Sequence, residues 1–267
     1  MPFIRARGIT VHYDVTGPAD APVVILANSL GTGKQMWDDQ VGPLAATFRV
    51  LRYDMRGHGL TECSPPGEPG AARIETLADD VAALLDELAI ERVRFVGLSI
   101  GGMVGQRFAA AYPQRVEALV LCATGSRVGS AAVWQERLAT VEREGLGGIV
   151  DAVMGRWFTR ATHEQRLDVI AGFSTMLLRT PAEGYIACGS AVRDADLRED
   201  DARIACRTLI VAGAADPSTP PALSAELHAA IDGSELLVLD DAAHILNVEQ
   251  PTALNRALLR FLAAAVT

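Results

Sequence analysis

Val96-Gly97-Leu98-Ser99-Ile100-Gly101-Gly102 follows the short apolar run 93–96 and precedes a helix-like segment that ends near Tyr112-Pro113. A Gly-x-Ser-x-Gly turn between a strand and a helix holds its serine in a strained conformation at a sharp bend. Small residues two positions to either side are required because helix and neighbouring strand approach so closely there. The hydroxyl of Ser99 then stands clear of the sheet. The N–H of Ile100 lies at a helix N-terminus, where developing negative charge is favoured. Alone, the motif also fits a glycine-rich turn with an incidental serine, so its partners decide the matter.

Outward from this elbow, strand patterns alternate with helices. Residues 9–15 carry β-branched and aromatic side chains and stop at Gly17-Pro18. Residues 22–28 and 48–53 are apolar runs, as expected of strands buried on both faces of a parallel sheet. Between them 34–47 is helix-like and closes a βαβ unit. Over 74–90, Leu77, Val81, Leu84, Leu85 and Leu88 recur at helical spacing among acids, which predicts an amphipathic crossover helix. The elbow strand is 94–98, and another follows at 116–122.

From about Arg127 to Arg203 the alternation stops. Helices are predicted over 131–144, 148–158, 164–178 and 182–192, with breaks at Gly145, Thr162 and Pro181. Thr162-His163-Glu164-Gln165 has capping-box form, which sets His163 on a solvated first turn. Strands resume at 208–212 and 235–239 around a helix at 220–231, and a helix at 252–264 follows. The expected organisation is a core of residues 1–126 and 204–267 with a helical lid, 127–203, inserted after about the sixth strand.

Among 267 residues, 49% are hydrophobic and 21% charged, which fits an ordinary globular protein with a substantial core. A net charge of −9 argues against nucleic acid as a partner and against docking on an anionic membrane. An acidic substrate would therefore need a local basic pocket. No apolar run approaches the ~20 residues needed to span a bilayer, and Met1 to Arg7 lack the apolar stretch of a secretory signal. Cys63, Cys122, Cys188 and Cys206 are scattered, so free thiols in a reducing cytoplasm are expected, with no metal site. The oligomeric state stays open.

A serine hydroxyl needs a base in reach, itself oriented by a third group. Of five histidines, His12 lies in a strand pattern, His163 on an exposed turn and His228 on a polar helix face. His58 sits in the turn Asp54-Met55-Arg56-Gly57-His58-Gly59 and is the second candidate, with a structural role the simpler reading. His244 follows the last strand through Asp240-Asp241-Ala242-Ala243. That places it at the C-terminal edge of the sheet, where open parallel sheets build their sites. Asp216, in Ala212-Gly213-Ala214-Ala215-Asp216-Pro217, follows the preceding strand and is the candidate orienting acid. The loop after residues 22–28 reads Asn28-Ser29-Leu30-Gly31-Thr32, so the N–H groups of Leu30 and Ile100 are the expected oxyanion donors.

The order Ser99, Asp216, His244 resembles that of the α/β-hydrolases, and the resemblance spans essentially the whole chain. It implies a mostly parallel eight-stranded sheet flanked by helices, with a helical lid after the sixth strand. A narrower resemblance is to bacterial 3-oxoadipate enol-lactonases of the β-ketoadipate pathway. It rests on Asn28-Ser29-Leu30-Gly31-Thr32, where most α/β-hydrolases carry His-Gly, on Arg52 to Gly59, on Gly97 to Met103 and on Asn247-Val248-Glu249-Gln250-Pro251. In the lid, Trp134-Gln135-Glu136-Arg137, Thr180 to Tyr185 and Arg193 to Leu197 also match.

The resemblance implies hydrolysis of 3-oxoadipate enol-lactone, a small anionic lactone, without metal or organic cofactor. The substrate's free carboxylate calls for a cation. Trp134 and Arg137 are three apart on one helix and share a face, so Arg137 is the expected anchor and Trp134 an apolar wall. Pairing of Arg137 with Glu136 or Glu144 is the competing reading, with Arg127, Arg156 and Arg193 as other anchors. A carboxylesterase, a lactonase of other specificity and a non-catalytic binding relative are the rival functions.

Overall fold

Strand β5 (Val93–Leu98) runs directly into a helix (Ile100–Ala111) with only Ser99 between them, in a computed structural model that describes residues 2–64 and 72–264. Met1, 65–71 and 265–267 lie outside the described residues, the last three belonging to the second core stretch expected from the sequence. In chain order the other strands are β1 (Phe3–Ala6), β2 (Ile9–Thr16), β3 (Val23–Ala27), β4 (Arg49–Tyr53), β6 (Val116–Cys122), β7 (Arg207–Gly213) and β8 (Glu235–Leu239). They form one eight-stranded sheet ordered β1-β2-β4-β3-β5-β6-β7-β8. The first two pairings, β1 with β2 and β2 with β4, are antiparallel, and the rest are parallel.

This is the α/β-hydrolase architecture, and β5 occupies its centre because its apolar side chains are covered on both faces. Val93, Phe95, Val96 and Leu98 are all buried. Helix α2 (Ile74–Glu87) buries Ile74, Leu77, Val81, Leu84 and Leu85, and packs against β1 and the helix that follows the elbow, α3 (Ile100–Ala111). Each such side chain contributes roughly 1.5–3 kcal/mol on leaving water.

Strand β1 was not legible as a strand. It has four residues, with Phe3 48% exposed, and is defined by its hairpin. Arg7 and Gly8 both take positive φ, 45° and 78°, as a two-residue turn joining twisted strands requires.

Between β6 and β7 the chain is helical: Ala131–Glu144, Val150–Trp157, Arg160–Gln165, Leu167–Leu178, Ala182–Asp194 and Arg198–Asp201, here α4 to α9 (the segment Asp38–Ala45 being α1). The helix expected over 164–178 is two helices, broken at Arg166 (φ −130°, ψ 61°). The capping box was read one turn late. Thr159 is the cap, its hydroxyl accepting the N–H of Thr162 at 3.3 Å, and Thr162 is buried inside the turn. His163 is half-buried, its Nε2 3.1 Å from the Met154 carbonyl, and not on a solvated turn. After β7 come α10 (Pro221–Ala230), β8, α11 (Leu246–Glu249) and α12 (Pro251–Ala263). Among the described residues no helix is long and apolar enough to cross a membrane.

Candidate active site

Ser99 takes φ 58° and ψ −119°, a conformation that costs of the order of 1–3 kcal/mol for a residue other than glycine. The surroundings enforce it. A Cβ on Gly97 would lie 2.1 Å from the Gly101 carbonyl oxygen, and one on Gly101 would lie 2.3 Å from that of Ala27. The Ser99 N–H donates to Cys122 O of β6 at 2.9 Å, and its carbonyl accepts from Thr124 Oγ1 at 2.8 Å. Strand, helix and adjoining strand thus fix the elbow through backbone contacts, with the Thr124 hydroxyl the one side chain among those named.

His244 and Asp216, 28 positions apart, meet at the C-terminal edge of the sheet. Nδ1 of His244 lies 2.8 Å from Oδ2 of Asp216, and both residues are buried. The second oxygen of Asp216 accepts the N–H groups of Ser218 (2.7 Å) and Thr219 (3.0 Å), while Thr219 Oγ1 donates to Oδ2 at 2.6 Å. Burial works against the charged carboxylate, but the attraction of His244 and the hydrogen bonds from His244 and Thr219 outweigh it. They hold Asp216 below the ordinary carboxylate value. An imidazole tied in this way presents Nε2 on the far side of its ring, free to act as a base. Ser99 and His244 line the same cavity, with no hydrogen bond between their side chains among the described residues. Such bonds commonly tighten only when substrate is bound.

The amides of the loop 29–32 are nearly all engaged. Ser29 N–H faces Met36 Sδ at 3.2 Å, Gly31 N–H donates to His58 Nε2 at 2.9 Å, and Thr32 N–H donates to Ser29 O at 3.2 Å. Leu30 N–H has no acceptor among the described residues, and Ile100 opens α3, where N–H groups lack helical partners. His58 is therefore a strut beneath this loop, not a second base. Because Nε2 accepts, Nδ1 carries the proton and donates to Arg56 O at 3.0 Å. Burial lowers the pKa of His58, which favours this neutral form. His12 is likewise occupied elsewhere, its Nδ1 2.7 Å from Asp54 Oδ2, and His228 pairs with Ser234 Oγ at 2.9 Å.

The cavity above Ser99 measures about 260 Å³ and is lined on one side by the helical insertion. That is smaller than the ~300–1,000 Å³ usual for drug-sized ligands. Trp134 and Arg137 of α4, and Arg156 and Trp157 of α5, line it together with Ser29, Leu30, Ser99 and His244. The Arg137 guanidinium lies 5.0 Å from the Trp134 ring centroid and 5.6 Å from that of Tyr185, and its Nε is buried with no acceptor. Glu144 pairs with Arg143 instead, and Arg137 makes no ion pair among the described residues. Arg193 is taken by Asp194 and Gln135, and Arg127 lines a different cavity. Of the candidate cations, Arg137 and Arg156 reach the site. All four cysteines are free thiols, and no described cluster of His, Cys, Asp or Glu is placed to hold a metal.

Residues 24–257 match the model of the alpha/beta hydrolase family. The chain belongs to that family. This hydrolase is 39% identical over 254 residues to 3-oxoadipate enol-lactonase 2 of Acinetobacter baylyi, covering 95% of this chain and 93% of the relative. Its fold matches the crystal structure of the enol-lactonase from Burkholderia xenovorans LB400 with a TM-score of 0.95 at 39% identity, covering 98% of this chain and 100% of that one. It is also 31% identical over 266 residues to the putative carbamate hydrolase RutD of Agrobacterium fabrum, covering 96% and 99% of the two chains. These similarities support an ester or lactone hydrolase.

The structural role expected for His58 is the one it has, although nothing local signals its partner 27 positions earlier. Glu249 stood within the Asn247 to Pro251 match with no role attached, although it bonds to residues as far as 90 positions away.

Proposed function

We propose that this hydrolase opens the ring of 3-oxoadipate enol-lactone with water, giving 3-oxoadipate during cytoplasmic breakdown of aromatic compounds, with residues 127–203 as the lid. One observation carries this reading. Ser99 and His244 share a small cavity with two arginines, Arg137 and Arg156, that have no ion-pair partner among the described residues. A neutral ester would give those cations nothing to bind. A lactone bearing a free carboxylate does, and a charge-assisted bond of that kind contributes about 1.5–3 kcal/mol.

In the proposed reaction Ser99 Oγ attacks the lactone carbonyl while His244 Nε2 takes its proton and Asp216 stabilises the resulting imidazolium. The N–H groups of Leu30 and Ile100 receive the oxyanion. Collapse breaks the ring C–O bond and releases an enolate oxygen, which takes the proton back from His244. The leaving group stays tethered to the acyl group, so ring re-closure competes with hydrolysis. Tautomerisation of the enol to a ketone removes that internal nucleophile. Water, deprotonated by His244, then attacks the acyl-serine and frees Ser99.

The test is to mix purified protein with freshly generated enol-lactone and follow the loss of its ultraviolet absorbance. We expect turnover that falls about 10⁶-fold in Ser99→Ala. Similarity to the carbamate-hydrolase relative motivates a parallel arm with a small carbamate and a neutral aryl ester. Turnover of either in preference to the lactone would overturn the substrate assignment.

A further inference from the structure

The N–H groups of the two residues on either side of His244 are both held by, or through, the helical insertion. Ile245 N–H donates to the carbonyl of Trp157, the last residue of α5, at 3.0 Å. Ala243 N–H donates to Glu249 Oε2 at 2.6 Å. The other oxygen of the same carboxylate, Oε1, accepts Thr159 N–H (2.8 Å), Thr159 Oγ1 (2.8 Å) and Thr162 Oγ1 (2.6 Å). Those threonines form the first turn of α6, immediately beyond Arg156 and Trp157, which line the cavity. Arg166 at the end of that helix adds a further tie, donating through Nη1 to Val248 O at 2.9 Å.

We propose that Glu249 is a positioning residue for His244, joining the base-bearing loop to the α5–α6 corner of the lid. The inference rests on the assignment of His244 as the base. One carboxylate satisfies three donors of the lid and one donor of the loop, so a shift of the corner is transmitted to Ala243, the residue before His244. The carbonyl of Trp157 constrains the peptide after it. The imidazole is therefore aimed from two directions: Asp216 fixes Nδ1 from the sheet, and the lid fixes the backbone. The α5–α6 corner moves with His244 as one unit, and any opening of the lid must hinge elsewhere.

The test uses a neutral aryl ester and kcat per serine titrated with a fluorophosphonate. These report on the nucleophile and base whatever the native lactone is, so a failed enol-lactone assay leaves the test intact. Loss of ester turnover in Ser99→Ala checks the underlying assignment separately. We expect Glu249→Ala to lower kcat up to about 100-fold, the scale of a ~1 Å misplacement of a catalytic group, with KM within about twofold. The far-downfield proton resonance of the His244 Nδ1–H should broaden or vanish. Thr162→Val, which removes one of the four donors, should give a smaller loss of kcat of the same kind. Should Glu249→Ala fail to fold, Glu249→Gln decides, because its single acceptor oxygen cannot serve both sets of donors. Wild-type kcat per titrated serine in a folded Glu249→Ala, or in Glu249→Gln if that variant is the one that folds, would overturn the proposal.

Discussion

The nucleophile side and the base side of the site are fixed by different means. Ser99 is held by peptide groups, by the Thr124 hydroxyl and by the absence of side chains at Gly97 and Gly101, around the central sheet and α3. The His244 imidazole is held by the Asp216 side chain from the loop after β7, and on the proposal above its backbone is held through Glu249, with threonine partners in the helical insertion, and by the Trp157 carbonyl. The two arginines that face the cavity also come from the insertion. On the function proposed above, the chemistry belongs to the sheet edge, while orientation of the base and recognition of substrate charge are assigned to the helical insertion. Variation in the lid can change what is hydrolysed without moving the nucleophile.

Three substitutions would break or sharpen this contrast, in decreasing size of effect. Asp216→Asn leaves the shape of the base side intact but removes the charge that orients and stabilises the imidazole. We expect kcat to fall about 10⁴-fold with little change in KM, measured by steady-state kinetics on a neutral ester. Gly101→Ala attacks the nucleophile side by addition. A methyl group 2.3 Å from a carbonyl oxygen forces α3 away from β3, and we expect a loss of the order of 1–3 kcal/mol in urea unfolding together with loss of serine labelling. Gain of stability with full labelling would contradict the steric account of the elbow.

An effect on stability alone, with none on the site, lies at the exit of the insertion. Asp201 of α9 is fully buried, and burial, with Asp200 and Asp196 nearby, outweighs the Ser126 hydroxyl and pushes its pKa up to about 6. A carboxyl whose folded value lies above its unfolded one destabilises the native state fully above that folded value. The penalty fades as pH falls toward the unfolded value near 3.8. Asp201→Asn should therefore raise the melting temperature by several degrees at pH 8, about 1–3 kcal/mol, and by progressively less below about pH 6.

Legibility in the sequence followed the same division. The elbow, Asp216 and His244 could be read because strand ends in an open parallel sheet fix where functional loops emerge, and because Gly97 and Gly101 advertise the close approach. Leu30 was placed by the same logic, and the structure adds that its neighbours Ser29, Gly31 and Thr32 have their N–H groups occupied. Arg137 and Trp134 were found from helical spacing, whereas Arg156 could not be ranked above Arg127 or Arg193 without knowing how α5 folds over the site. The capping-box form of Thr162-His163-Glu164-Gln165 drew the helix start to Thr162, and the burial of that hydroxyl against Glu249 has no local signal. His58 and Glu249 act through partners remote in sequence, a property that no local pattern encodes.

The division of labour between sheet and lid is tested most directly by one ratio. It compares kcat/KM for the enol-lactone acid with that for its methyl ester, in the wild-type protein and in Arg137→Ala. We expect the wild type to favour the acid by about 10- to 100-fold, the equivalent of one charge-assisted hydrogen bond. In Arg137→Ala the preference should collapse toward unity while turnover of the methyl ester survives. A preference that persists unchanged in Arg137→Ala, or equal losses on both substrates, would contradict the assignment of substrate recognition to the lid.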